Sequence, residues 1–116
     1  MAELKKINEE KTEPETENKQ LKHITLNEAV TYNDQEITEL DFDFDKLTGA
    51  DAMNIEEELQ AIGKAVLVES ASGPFMIRLA VRACKQDIGV DFFNRISMKD
   101  YMQIKKLARN FLIRSE

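Results

Sequence analysis

Two segments with alternating apolar residues, separated by a tight turn, constrain this chain more than any other feature. The apolar residues of each segment share one parity, so each segment can bury one face as a β-strand. They are Ile24, Leu26, Val30 and Tyr32 in the first segment and Leu40, Phe42 and Phe44 in the second. Asn33 and Asp34 lie between the segments and tolerate the positive φ angles that a two-residue hairpin turn requires. The sequence therefore predicts an antiparallel hairpin over residues 23–45.

A helix start follows the hairpin directly. Thr48 and Asp51 have the Ser/Thr-x-x-acid spacing of a helix N-terminus, where a carboxylate also interacts favourably with the helix dipole. Apolar residues then recur at steps of three and four, which predicts an amphipathic helix over residues 49–62. The position of its end stays open within residues 62–71. Gly63 weakens the helical pattern, and the β-branched residues after it fit either a longer helix or a short extended segment.

Two further helices are predicted from their start signals. Pro74 suits the first turn of a helix, where its missing N–H costs no hydrogen bond, so we expect a helix over residues 74–87. Ser97 and Asp100 repeat the capping spacing and open a last helix over residues 98–113, which has a clear apolar face.

Size and composition fit one small α+β domain, an N-terminal β-hairpin followed by a bundle of three or four helices, over residues 22–116. Residues 1–21 are rich in charge and hold few apolar side chains, so they are predicted to be a disordered charged leader. The sequence has no run of about 18 apolar residues and no secretion signal. We therefore expect a soluble intracellular protein that does not enter a membrane.

The second predicted helix is apolar over most of its circumference, with only Arg78, Arg82 and Lys85 forming a polar strip. Such a helix must be buried either by the rest of the domain or by another chain, and both possibilities stay open. Of Phe92 and Phe93, which follow this helix, we expect one in the core and the other exposed. The candidate partner-binding residues are Phe75, Met76, Leu79, Ala83, Phe92, Phe93 and Met98.

The net charge of −6 is unevenly distributed along the chain. Residues 34–58 contain ten acidic residues and one basic residue, whereas residues 76–116 contain nine basic and four acidic residues. These regions can attract each other within one molecule or between copies of the chain, and both alternatives stay open. The candidate self-association residues are Asp41, Asp43, Asp45, Arg78, Arg82 and Lys85.

Residues suited to catalysis are few. The single cysteine, Cys84, lies on an apolar stripe, and the single histidine, His23, lies close to the charged leader. One cysteine excludes an internal disulfide, and one histidine leaves no Cys/His cluster for zinc. The sequence also lacks a glycine-rich phosphate loop. We therefore expect no enzymatic activity and no cofactor.

A calcium loop is the closest match to a metal site. Asp41, Asp43 and Asp45 have the spacing with which such a loop begins, but Lys46 and Ala52 stand where the loop requires glycine and glutamate. Strand alternation explains the three aspartates more simply, because it directs all of them to the polar face of the hairpin. No metal is therefore expected.

Nucleic-acid binding is an alternative function for this sequence. Arg78, Arg82 and Lys85 form a basic strip, and the last two helices, joined by residues 89–97, could imitate a helix-turn-helix. The acidity of the whole chain argues against this interpretation, since the DNA backbone attracts basic surfaces.

The order of the elements and two short motifs resemble a known family. The hairpin leads into Leu47-Thr48-Gly49-Ala50-Asp51 and a helix, and the chain closes with an apolar helical segment of the type Ala108-Arg109-Asn110-Phe111-Leu112. Over residues 22–113 this arrangement resembles the small tail assembly chaperones of long-tailed bacteriophages and prophages, including Mu-like ones. The family often has a proline before the threonine, where this chain has Leu47.

The resemblance implies a non-enzymatic assembly factor that binds the helical tape measure protein, keeps it soluble and helps to deliver tail tube subunits. It further implies work in the bacterial host cytoplasm, absence from the mature virion, and self-association, since many copies coat one tape measure. Many members also occur in a longer, frameshifted form. The other interpretation is a small phage-encoded adaptor or DNA-binding regulator.

Overall fold

The computed structural model describes residues 21–115, which form a β-hairpin followed by three α-helices. The elements are β1 (Leu21–Tyr32), β2 (Gln35–Asp43), α1 (Gly49–Ala61), α2 (Gly73–Ala83) and α3 (Met98–Ser115). Short 3₁₀ helices lie at Phe44–Lys46, Glu69–Ala71 and Val90–Asn94. This confirms the predicted α+β architecture. The predicted disordered leader lies outside the described residues, except for Leu21, which begins β1.

The hairpin turn has the conformation that its sequence predicts. Asn33 and Asp34 have φ angles of 51° and 65°, the left-handed region that suits the right-handed twist of two paired strands. The strand register then shifts, because Thr25 lies opposite Glu39 whereas Val30 lies opposite Ile37. Four residues of β1 therefore face one residue of β2, which makes a wide bulge in β1.

A buried carboxylate satisfies the backbone at this bulge. The N–H of Asn27 donates to both carboxylate oxygens of Asp100, at 2.9 and 2.8 Å. Asp100 is 1% exposed and lies in the first turn of α3, where the helix dipole favours its negative charge. Its own N–H donates to the hydroxyl of Ser97 at 3.1 Å, so the predicted cap is present. The carboxylate of Asp100, however, accepts its hydrogen bonds from the backbone of β1.

The tip of the hairpin is attached to the segment after α2. The Tyr32 hydroxyl donates to Asp91 at 2.7 Å and accepts from the N–H of Gly89 at 3.1 Å. A Cβ at Gly89 would lie 2.9 Å from Asp91 Oδ1 and 3.2 Å from the Tyr32 hydroxyl, so this close approach requires glycine. The guanidinium of Arg95 covers the Tyr32 ring, 5.6 Å from its centroid. Three residues distant in sequence, Gly89, Asp91 and Arg95, thus hold the tip.

The sequence did not fix the position at which α1 ends. In the structure, a glycine cap determines it. Lys64 donates its N–H to the Leu59 carbonyl at 2.8 Å, and Gly63 donates to the Gln60 carbonyl at 3.0 Å. Gly63 has a φ angle of 78°, which completes a Schellman cap. The helix therefore ends at Ala61, one residue before the predicted interval of 62–71 begins.

The end of α2 differs from the prediction. The helix stops at Ala83 and does not continue to residue 87, because the next residues pair with β2. Cys84 is extended and forms a bridge with Phe42. Lys85 then donates its N–H to the Asp41 carbonyl at 2.8 Å. Cys84 and Lys85 thus pair with β2 instead of extending α2 by another turn.

The core lies between the hairpin and the helices, with α2 packed against both α1 and α3. Aromatic rings connect distant elements within it. Phe44 stacks on Phe42 and on Phe111, with centroids 5.9 and 5.4 Å apart, and so links the end of β2 to α3. Tyr32 contacts Phe92 edge to face at 5.3 Å.

Replacing Asp100 tests how strongly the bulge depends on α3. We expect Asp100→Ala to lower the free energy of unfolding by about 1–3 kcal/mol, because the part-buried hydrogen bond from the N–H of Asn27 loses its acceptor. Urea denaturation followed by circular dichroism measures this change. Glu57→Ala, which removes a carboxylate from an exposed position of α1, is the control and should change stability by less than about 0.5 kcal/mol. Equal effects of both substitutions would contradict the assigned role of Asp100.

Candidate functional site

The structure buries most of the predicted partner-binding residues in the core of the domain itself. Met98 alone among the seven is exposed, with 80% of its surface accessible. The buried ones are Phe75, Met76, Leu79, Ala83, Phe92 and Phe93. Of the two origins of burial left open for α2, the rest of the domain supplies it, because α1 and α3 cover the helix on both sides. These six side chains therefore belong to the core, and of them Met76 also lines the groove described below.

Phe92 and Phe93 depart from their prediction in the same way. Both are buried, at 0% and 8% exposure, whereas one was expected on the surface. The 3₁₀ helix that carries them turns the chain so tightly that the two adjacent rings both point inward. Phe92 packs on Tyr32 and Phe93 on Tyr101, with their own centroids 5.8 Å apart.

Part of the exposed apolar surface of the described residues lies on α3, and other exposed apolar side chains include Met53 of α1 and Leu67. Met98 and Met102 are 80% and 50% exposed and lie one turn apart, and Ile113 is 44% exposed near the end of the helix. At 3.6 residues per turn, these side chains and Arg109 fall within about 60° of arc on the side opposite the buried Ile104. We call Met98, Met102, Lys106, Arg109 and Ile113 the outer stripe of α3. It covers about 22 Å of helix length.

An open groove of about 530 Å³ lies beside this stripe. One wall is the 3₁₀ helix at Glu69–Ala71 together with the start of α2, and the other wall is α3. Its lining residues include Ser70, Ala71, Met76, Met102, Lys105 and Arg109. Methionine side chains are flexible and polarisable, so a groove lined by them can adapt to different apolar partners. The groove has the form of a site for a helix, with apolar groups inside and cations along one rim.

Glu69, the residue before Ser70 of the groove wall, takes part in an acidic contact. Glu69 forms a side-chain hydrogen bond with Glu56 of α1, and this bond, with some desolvation, raises the pKa of Glu56. Two neighbouring carboxyl groups disfavour further negative charge nearby. The two sides of the groove therefore differ in electrostatic character.

The basic strip of α2 is neutralised within the molecule. Arg82 donates to Asp51 at 2.8 Å, and Arg78 Nε lies 3.4 Å from a carboxylate oxygen of Glu58. The pKa of Asp51 is lowered mainly by the backbone N–H of Thr48, and secondly by Arg82. Of the two origins of attraction left open by the charge pattern, the one within a single molecule is present here. Lys85 is exposed, and its backbone N–H pairs with β2.

The three aspartates of β2 and the following turn have different surroundings. Asp41 bonds to His23 Nδ1 at 2.6 Å and accepts from the side-chain amide of Gln86 at 3.2 Å. Asp43 is half-buried, whereas Asp45 is exposed beside a small hollow that Arg114 also lines. Among the described residues, no group of three or more Asp, Glu, His or Cys side chains is placed to hold a metal ion.

Cys84 is a buried thiol. Desolvation raises its pKa to about 11, so it stays protonated at neutral pH. Its Sγ lies 3.4 Å from the side-chain oxygen of Gln86, and hydrogen bonds connect it to His23 only through Gln86 and Asp41. This chain of contacts fastens the hairpin to the end of α2 and does not join a nucleophile to a base.

Sequence reasoning identified one residue of the groove side of α3, Met98, and missed Met102, Lys105 and the wall at residues 70–71. A usable signal was present for Met102, since it lies four residues after Met98 and therefore on the same face of the helix. The opposing wall has no such signal, because it reaches α3 only through tertiary packing.

Comparison of the chain with protein-family models, with curated proteins and with solved structures finds no match in any of the three. Within residues 21–115, no helix is both long and apolar enough to span a membrane. The assignment of a function therefore depends on the resemblance of the motifs and on the surface of α3.

His23 provides a test of the contacts at the base of the hairpin. The hydrogen bond to Asp41 raises the pKa of His23 above 6.5, and the same bond lowers the pKa of Asp41. A raised histidine pKa stabilises the fold below the unfolded-state value, and this contribution disappears as the pH rises through the folded-state value. The lowered pKa of Asp41 stabilises the fold above the ordinary carboxyl value, and this contribution disappears on acidification. The contact is therefore strongest at mildly acidic pH.

We expect an NMR titration of the single histidine to give a pKa above 6.5 in the native chain and a value closer to 6.5 in Asp41→Asn. Asp43→Asn removes a neighbouring carboxylate that does not contact His23, so it should leave the titration unchanged. A native value at or below 6.5, or equal shifts in both variants, would refute the contact.

Proposed function

We propose that this chain is a tail assembly chaperone of a bacteriophage or prophage, a non-enzymatic factor that binds helical segments of the tape measure protein and promotes assembly of the tail tube. The motif resemblance at residues 47–51 and 108–112 supports this proposal. The α+β architecture, a hairpin followed by helices, agrees with what that resemblance implies. The proposed setting is the bacterial host cytoplasm, and the mature virion would not contain the protein.

The observation that carries the proposal is the methionine-lined groove on α3. A tape measure protein presents long amphipathic helices, and a chaperone for it needs an exposed apolar surface that accepts one helix along several contacts. Met98 and Met102 stay 80% and 50% exposed, and Met102 lines the groove together with Met76. Exposed large apolar side chains next to a concave surface are typical of an interaction site.

Self-association of the chaperone along the tape measure is part of the proposal, with a change in the residues involved. Asp41, Arg78 and Arg82 make contacts within the monomer, so they are poorly available to a second copy. Asp45 and Lys85 remain exposed, and Asp43 is half-buried.

Co-expression with the neighbouring tape measure protein tests the chaperone function. We expect the native chain to bring a tagged tape measure into the soluble fraction and to co-elute with it. The double variant Met98→Asp/Met102→Asp should weaken recovery at least about tenfold, because two apolar contacts, together worth more than about 1.4 kcal/mol, are replaced by charge. Quantitative immunoblotting of the eluate measures the ratio.

Met53→Asp is the matched control, since Met53 is 65% exposed on α1 and does not line the groove. It should retain native recovery of the tape measure. Thermal denaturation must show that all variants are folded. An insoluble tape measure with the native chain left free would contradict the chaperone function. Equal losses in the control and the double variant would contradict the role of the groove.

The alternative function is a small phage-encoded adaptor or a DNA-binding regulator. An adaptor would use the same groove for another protein, so capture of a different defined partner in place of the tape measure would support it. A DNA-binding regulator requires free cations on its binding helix, and Arg78 and Arg82 are already paired with Glu58 and Asp51. An electrophoretic mobility shift that falls steeply with salt would support that function.

A further inference from the structure

The cations of the domain differ sharply in how they are paired. On α2, Arg78 and Arg82 contact acidic residues of α1. On α3, none of the acidic residues among positions 21–115 forms an ion pair with Lys105, Lys106 or Arg109. Lys105 Nζ lies over the ring of Tyr101, 5.7 Å from its centroid. Three cations that form no ion pair with the acidic residues of positions 21–115 thus lie together beside the groove.

These cations lie in a defined position relative to the apolar contacts. Met98 and Met102 occupy the N-terminal part of α3, while Lys105, Lys106 and Arg109 follow over the next two turns. Arg109 lies about 10 Å further along the helix axis than Met102, at a rise of about 1.5 Å per residue. A ligand that fills the groove therefore meets apolar groups first and positive charge one to two turns later.

The charges around the groove also favour negative groups on one side of a bound helix. The cations of the groove lining all lie on α3, and the opposing wall at Ser70 and Ala71 directly follows Glu69, which contacts Glu56 of α1. Negative groups of a bound helix are therefore attracted to the α3 side of the groove. A phosphate polymer fits this surface less well, because an apolar groove next to a carboxyl pair offers its backbone few contacts.

We propose that the groove selects amphipathic helices whose apolar stripe is bordered by carboxylates, which contact Lys105, Lys106 and Arg109. This inference deepens the proposed function and rests on it, since it specifies the chemistry of the helix that the chaperone binds. The apolar stripe of that helix packs on Met76 and Met102, and its acidic border lies along α3. Charge complementarity then selects among many apolar helices of similar shape.

Two synthetic peptides of about 18 residues, long enough to form a helix, test the selection. Both carry leucine at alternating steps of three and four, and one border of the leucine stripe is glutamate in the first peptide and glutamine in the second. Fluorescence anisotropy with the full chain measures the dissociation constants. We expect the glutamate peptide to bind at least about tenfold more tightly, and the difference to shrink between about 50 and 500 mM salt.

A charge-reversed variant sharpens the test. Lys106→Glu/Arg109→Glu should lose the preference for the glutamate peptide and prefer a third peptide bordered by lysine. Lys64→Glu/Lys85→Glu reverses two exposed lysines away from the groove and serves as the control, which should keep the native preference.

The possible results separate the inference from the proposed function. Equal affinity for the glutamate and glutamine peptides, with loss of both in Met98→Asp/Met102→Asp, would overturn the charge selection while groove binding stands. No binding of either peptide, although the tape measure is still captured, would overturn the inference for this site. No peptide binding and no capture would overturn both. Preferential binding of duplex DNA over the glutamate peptide, lost in Lys106→Glu/Arg109→Glu, would also overturn it.

Discussion

A two-stranded hairpin is at best marginally stable alone in water, so this domain depends on how its hairpin is attached to the helices. The attachments lie at three heights along the strands. Asp41 holds the base through backbone and side-chain bonds to the end of α2. Asn27 is held at the bulge by Asp100, and Tyr32 is held at the tip by Asp91. Polar contacts thus set the position of the hairpin, while aromatic and aliphatic packing provides most of the apolar burial.

The features predictable from the sequence are those determined within a few residues. Asn33 and Asp34 adopt the turn because their side chains tolerate positive φ, whichever helices pack nearby. The helix starts at Thr48 and Ser97 likewise depend on local bonds: the N–H of Thr48 donates to the carboxylate of Asp51, and the hydroxyl of Ser97 accepts from the N–H of Asp100. The sequence at Gly63 was compatible with either the end or the continuation of α1. The structure selects the end, because glycine alone reaches the required conformation at low cost.

The features that escaped prediction depend on contacts between distant residues. The apolar spacing continues through Cys84 to Ile88, yet β2 captures this segment through bonds across 45 positions of sequence. The same limit applies to the candidate site. The apolar surface of α2 shows that the helix must be buried, but it does not show which neighbouring element buries it. Charge pattern shows a related ambiguity. Alternating blocks of acids and bases fit attraction within or between molecules, and only the packing of α1 on α2 shows Arg82 beside Asp51.

The bulge in β1 divides the hairpin into two halves that need different contacts during folding. Near the turn, Val30 pairs with Ile37, so closing that loop costs little chain entropy and can occur early in folding. The bulge itself requires Asp100, which lies 73 positions after Asn27. During translation the ribosome completes the strands well before α3. The N–H of Asn27 is therefore hydrated until Asp100 has been synthesised. Of the three described helices, the one synthesised last therefore secures the bulge of the hairpin.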